Sequence, residues 1–259
     1  MTVTEIMTRV VGADYLREHP GTVDTLKFGE PDREVRRLGT CFAATPRVLA
    51  AAKEWGADLL ITHEPTFFTG SDTRMDNDLT RRKLRLLEET GIAVWRYHDS
   101  MHRRGTDEVS LDLIERMGWT GDFDGRCGFV LAEPVRAGEL LRALGERLQI
   151  RHPRLIGDPA LPVTKLRLYV GEQGGYEDFL YESGDELVIG GETCEWHNGE
   201  PIREAAEMGL PKALILLGHC GSERLSMARL ADRLDGRFDG APARYFDCGE
   251  LYSYPADTE

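Results

Sequence analysis

The sequence predicts an α/β protein built as two lobes, and three observations predict it. Short apolar runs alternate with stretches of helical periodicity along the 259 residues. Two of these runs, Ala57–Thr62 (ADLLIT) and Ala213–Leu217 (ALILL), are almost unbroken, the pattern of strands buried on both faces. Gly121–Gly128 (GDFDGRCG) is dense in turn residues and suggests a boundary, giving lobes 1–125 and 126–259.

In chain order, Pro46–Trp55 is expected to be a helix. Thr45 stands as N-cap, Pro46 occupies the first position and Gly56 marks the end. Ala57–Thr62 is the first clear strand. Asn77–Thr90 is a helix by periodicity, and Ile92–Tyr97 (IAVWRY) is the next strand. Asp107–Met117 is a helix stopped by Gly118, and Gly138–Leu148 is another. After the loop Gly157–Pro162 (GDPALP), Lys165–Val170 (KLRLYV) is a strand. Pro201–Met208 is a helix, Ala213–Leu217 a strand and Ser222–Leu234 a helix.

Composition narrows the function. No apolar run is long enough for a membrane span, and the mixed, polar Met1–Val10 does not read as a signal peptide. Five scattered cysteines with no CxxC pair argue against a disulfide framework or a thiolate zinc knuckle, so a cytoplasmic protein is expected. A net charge of −13 argues against general nucleic-acid binding, which needs a basic footprint.

The chemistry lies in the histidines. Four of seven stand just after three predicted strands, where the loops of α/β proteins converge on ligands. The first strand delivers His63 and Glu64 side by side before Pro65. Neighbours in extended chain point to opposite sides, so two adjacent metals would take one each. The second runs into RYHDSMH, where His98 and His102 share a face if the segment is helical. Asp99 would orient a histidine or serve in catalysis. The third enters LLGHCGSE, where a glycine turn carries His219 and Glu223 opens the next helix. The bland alternatives are a hydrogen-bonded core histidine, a solvated glutamate and a first-turn acid. Three strands ending in the same chemistry favour ligands.

Imidazole with carboxylate suits zinc, iron, manganese or nickel rather than calcium. The donors suffice for two divalent ions, and Glu223 is placed to bridge them and to take part in catalysis. Arg96, Arg103 and Arg104 are the anion-binding candidates, since no phosphate-binding GxxxxGK[ST] loop is present. Glu192, Glu195 and His197 are candidates for substrate contact or proton transfer. Cys220 beside His219 is a weaker candidate, as a nucleophile.

ADLLITHEPTFF (57–68), HDSMH (98–102) and KALILLGHCGSE (212–223) resemble the dinuclear-metal-centre family called NGG-interacting-factor-three-like, also known as GTP cyclohydrolase I type 2-like proteins. GETCEWH (191–197), SERLSMARLADRL (222–234) and ARYFDCGE (243–250) are similar to further family segments. The family usually has histidine where this chain has Glu64, and aspartate where it has His102. These two exchanges leave the total donor set and charge unchanged. Ala43 is a third departure, where the family often has aspartate. The resemblance implies two related α/β lobes with a metal-binding cleft between them, a homo-oligomer in the form of a toroidal hexamer, and a metal-dependent hydrolase acting on a nucleotide-like small molecule. A non-catalytic regulatory or scaffold protein with a structural or metal-handling site is the alternative.

Overall fold

The computed structural model describes residues 1–254; the last five residues of the expected C-terminal lobe lie outside them. In chain order the elements are α1 (Val3–Val11), α2 (Ala13–Glu18), β1 (Leu26–Phe28), β2 (Leu38–Cys41), α3 (Pro46–Trp55), β3 (Leu59–Thr62), α4 (Asp78–Thr90), β4 (Ala93–Arg96), α5 (Asp99–Arg103) and α6 (Glu108–Met117). Then follow β5 (Gly121–Phe123), β6 (Gly128–Arg136), α7 (Ala137–Leu148), β7 (Arg154–Ile156), β8 (Pro162–Glu172), β9 (Leu187–Glu192), α8 (Glu200–Glu207), β10 (Ala213–Leu216), α9 (His219–Leu234) and β11 (Ala243–Tyr245). Two short π-helical turns, Asp178–Glu182 and Glu195–Gly199, flank β9.

The chain divides into two compact units. One comprises Met1–Arg104 and Ser226–Glu259, the other Gly105–Leu225. The turn-rich segment expected to be a boundary is instead the β5–β6 hairpin inside the second unit, because antiparallel pairing of Gly121–Phe123 with Phe129–Leu131 uses those turn residues. Chain order also misses that the C-terminal segment belongs with the first unit, where β11 pairs with β2.

The first unit holds a five-stranded sheet in the order β1-β4-β3-β2-β11. β4, β3, β2 and β11 are parallel, and β1 is antiparallel to β4. Both β3 and β4 are buried along their whole length, as the unbroken apolar run of β3 predicts. Leu49, Ala52, Leu60, Leu87, Val94 and Phe246 form the core on one side. Each of the Leu, Val and Phe side chains removed from water contributes about 1.5–3 kcal/mol. The helices end where the sequence marks them: Thr45, Asn77 and Asp107 accept the N3 backbone N–H of α3, α4 and α6, and Gly56, Gly91 and Gly118 close those helices in the left-handed conformation.

The second unit holds a mixed six-stranded sheet, β5-β6-β8-β9-β10-β7, in which β8, β9 and β10 are parallel. Its core gathers Tyr169, Phe179, Val188, Ile202 and Leu214. β9, which the sequence reading leaves unassigned, is a buried central strand. Its apolar run Leu187–Ile189 is only three residues long before two glycines. No helix among the described residues is long and apolar enough to cross a membrane.

Candidate metal centre

Parallel pairing of β3 with β4 sets Thr62 beside Arg96, and the N–H of Tyr97 donates to the Thr62 carbonyl at 2.9 Å. The residues just past the two strands, His63 and His98, are therefore neighbours across the sheet. Their rings lie 4.7 Å apart between centroids. His98 is the N-cap of α5, and His102 lies one turn on, which brings its ring to 5.0 Å from His98 and 5.3 Å from His63. The candidate ligand atoms of these three histidines all fall within 4.8 Å of one another. A ligand atom of Glu64 lies within the same distance of one on His63.

The rings are held by their other nitrogens. His63, almost fully buried, is bonded through Nδ1 to the Tyr97 carbonyl at 3.1 Å. A carbonyl only accepts, so Nδ1 donates and Nε2 is the nitrogen left to face a ligand. That Nε2 is 3.3 Å from Nε2 of His102. His98 donates through Nδ1 to Asp99 Oδ1 at 3.0 Å, and Asp99 Oδ2 accepts from Thr22 Oγ1 and the Val23 N–H. The hydrogen bond from His98, then those from Val23 and Thr22, outweigh burial and hold the Asp99 carboxyl well below the usual carboxylate range. Burial, together with the two neighbouring imidazoles and Arg96, pushes His98 below the usual histidine range despite Asp99. The ring is neutral at pH 7 and free to present a lone pair at Nε2. Asp99 thus acts on His98 as a positioning residue.

Asp24 completes this half and was not anticipated from the sequence. Fully buried, it accepts the backbone N–H groups of His98 (2.7 Å), Asp99 (2.8 Å) and Ser100 (2.8 Å), and the Ser100 hydroxyl. It caps α5 from 74 residues earlier in the chain, so no local pattern announces it. Arg96 is also structural rather than anion-binding: buried, it donates to the His63 carbonyl at 3.0 Å and to Gly70, and pairs with Asp72 at 3.4 Å.

In the second unit, α9 begins at His219, three residues before the predicted start, so His219 and Glu223 sit one turn apart on the same helix rather than in a turn and a helix. His219 Nε2 is 3.2 Å from Glu223 Oε2. Gly218, with φ of +80°, makes the turn from β10 into the helix. Glu192, at the end of β9, accepts from His219 Nδ1 at 3.1 Å. Ser222 donates to the His219 carbonyl and accepts the Gly171 N–H. Gly171, at φ +66°, lies against the pair, and a Cβ there would run into Glu223 Oε1 and sit 3.2 Å from His219 Nε2.

The remaining expected residues are placed elsewhere. Glu195 makes a surface ion pair with Arg154 at 2.9 Å, and His197 pairs with Glu177 at 3.0 Å, both largely exposed. Arg104 donates to the carbonyls of Val10 and Val11 at the end of α1, a placement that suits a cation at a helix C-terminus. Arg103 is exposed on α5.

Comparison with known proteins agrees with this architecture. The family model described as Duf34/NIF3 (NGG1p interacting factor 3) matches residues 21–245. A Pseudomonas aeruginosa protein named GTP cyclohydrolase 1 type 2 homolog is 27% identical over 221 residues, covering 79% of this chain and 81% of that protein. The fold is similar to the crystal structures of the Staphylococcus aureus hypothetical protein SA1388 (TM-score 0.75, 16% identity, 98% of this chain and 99% of that chain) and of TTHA1606 from Thermus thermophilus (TM-score 0.72, 20% identity, 97% and 100%). The chain belongs to the Duf34/NIF3 family.

Proposed function

We propose that this chain is a dinuclear metal protein that hydrolyses a nucleotide-like small molecule, with His63, Glu64, His98, His102, His219 and Glu223 as ligands. The observation that carries the reading is the convergence of His63, His98 and His102, two of them with Nδ1 already committed to oxygen acceptors. Metal-binding histidines are held in this way, with the second nitrogen fixed by a carbonyl or carboxylate. The residues present therefore fit divalent transition metals such as zinc, iron, manganese or nickel.

Bound there, divalent ions lower the pKa of a coordinated water and offset negative charge developing on the substrate. The protein's own part is positioning. Asp99 and the Tyr97 carbonyl fix two rings, and Glu192 fixes His219. Glu223, nearly fully buried, would supply a carboxylate to a bound cation or take a proton from water. Arg103 is the exposed cation nearest in sequence to the ligands and is assigned to substrate phosphate; Arg96 and Arg104 are committed to carbonyls. The name of the Pseudomonas aeruginosa relative supports a nucleotide-like substrate. Assembly into a homo-oligomer belongs to the same proposal.

Elemental analysis of the purified protein beside Glu223→Ala tests it. About two transition-metal ions per chain, depleted in the variant, with metal-dependent turnover of a purine nucleotide, is the expected result. No metal after incubation with zinc, manganese or iron would overturn it. Two metals without turnover would favour a regulatory or scaffold role.

A further inference from the structure

We infer that Phe68, in the loop that follows His63 and Glu64, is an aromatic platform on which the planar base of a nucleotide-like substrate stacks. The inference rests on the hydrolase reading above for where substrate sits. It deepens that reading by assigning the part of the substrate that carries no phosphate.

The first support is a strained residue turned outward. Phe67 is buried in the core of the first unit. Its neighbour Phe68 is 55% exposed and has φ of +62°. An exposed apolar side chain alone is ordinary. A bulky side chain in the left-handed region is not, and such residues gather at ligand sites, where the surrounding structure holds the strain.

The second support is the apparatus that holds it. Asp72 Oδ1 accepts the backbone N–H of Thr66, and that of Phe67 at 3.0 Å. The Asp72 N–H donates to the Thr69 carbonyl at 2.9 Å, which closes a turn on the other side of Phe68. Asp72 Oδ2 lies 3.5 Å from Lys27 Nζ and 3.4 Å from Arg96 Nη1, and all three side chains are almost fully buried. The same guanidinium donates to the Gly70 carbonyl, and through Nε to the His63 carbonyl at 3.0 Å. One buried arginine therefore ties the loop that carries Phe68 to the backbone of a candidate ligand. A ring fixed in this way loses little freedom when something binds to it.

The third support is the ring's surroundings. Lys83 Nζ stands over the ring, 5.9 Å from its centroid. Lys83 is buried and donates to the Ala44 carbonyl, just after Phe42, whose carbonyl accepts the N–H groups of His63 and Glu64. One face of Phe68 is thus covered near the ends of β2 and β3, and the exposed part of the ring is free to receive a ligand. Every nucleobase has a π-face, so stacking on such a ring requires no charged partner.

The test compares guanosine 5′-monophosphate with ribose 5-phosphate, which lacks the base, by calorimetric titration of the full chain after incubation with manganese. Wild type should bind the nucleotide more tightly than the sugar phosphate. Phe68→Ala and Phe68→Leu should each weaken nucleotide binding about 10-fold, the size of one base–aromatic contact, and Phe68→Tyr should bind as wild type does. Ribose 5-phosphate affinity and metal content should be the same in every variant, and circular dichroism confirms that each is folded. Equal nucleotide affinity in wild type and Phe68→Ala overturns the inference and leaves the proposed function intact. Equal losses for both probes in Phe68→Ala, wild-type affinity in Phe68→Leu, or a wild type that binds both probes alike do the same. Nucleotide binding that depends on Phe68 in a chain that holds no metal overturns the proposed function alone.

Discussion

The carboxylate of Asp24 accepts the backbone N–H of His98 at 2.7 Å, joining the loop before β1 to the candidate ligand that caps α5. Histidine is a poor N-cap, and none of its side-chain atoms caps α5. Asp24 takes over that role from outside the helix. Asp24→Ala is expected to leave three backbone N–H groups and the Ser100 hydroxyl without their acceptor, lowering stability by about 1–3 kcal/mol for each one that stays buried. Metal affinity should fall about 10–100-fold, as when outer-shell partners of ligands are removed. Thermal unfolding and zinc titration read the two effects separately, and unchanged zinc affinity would show that Asp24 serves the fold alone.

Gly171 lies against Glu223 and His219 in the left-handed region. Gly171→Ala is expected to cost about 1–2 kcal/mol in backbone strain, and its Cβ would displace the Glu223 carboxylate. Metal content should fall more than stability does. Full metal occupancy in a folded Gly171→Ala protein would argue against Glu223 as a ligand.

Asp185 and Arg167 are paired at 2.6 Å in the second unit. Burial pushes the Asp185 carboxyl up, but hydrogen bonds from Arg167 and Ser183 and nearby positive charge bring it below the ordinary carboxylate value. A carboxyl whose native pKa is depressed contributes stability above its unfolded value of about 3.9, and that stability is lost as pH falls through the native value. Wild type should therefore lose stability below about pH 4 more steeply than Asp185→Asn. Denaturant unfolding at pH 6 and pH 3 checks this, and parallel losses in the two proteins would count against it.

Burial pushes the Cys41 thiol up to about 12, whereas Cys194 is exposed. Iodoacetamide at pH 8 should modify Cys194 and leave Cys41 intact until the protein is denatured, because the thiolate is the reactive form. Peptide mass mapping reads the pattern. Loss of turnover on alkylation of Cys220 would revive the cysteine-nucleophile reading.

The sequence by itself determined what depends on short-range pattern. The apolar runs at β3 and β10, the capped helices α3, α4 and α6, and the histidines placed just past strands were all legible because burial, capping and strand ends act within a few residues. Tertiary structure decided the rest. β1, β7 and β11 are three-residue strands that exist only through their partners. The C-terminal segment joins the first unit only because β11 pairs with β2, which no local signal announces. The helical start at His219, the commitment of Arg96 and Arg104 to backbone carbonyls, and the capping of α5 by Asp24 likewise depend on groups brought together by folding. Donor identity is a property of residues, but which nitrogen each histidine presents is set by hydrogen bonds such as those from Nδ1 of His63 to Tyr97 and of His98 to Asp99, and these exist only once β3, β4 and α5 are packed.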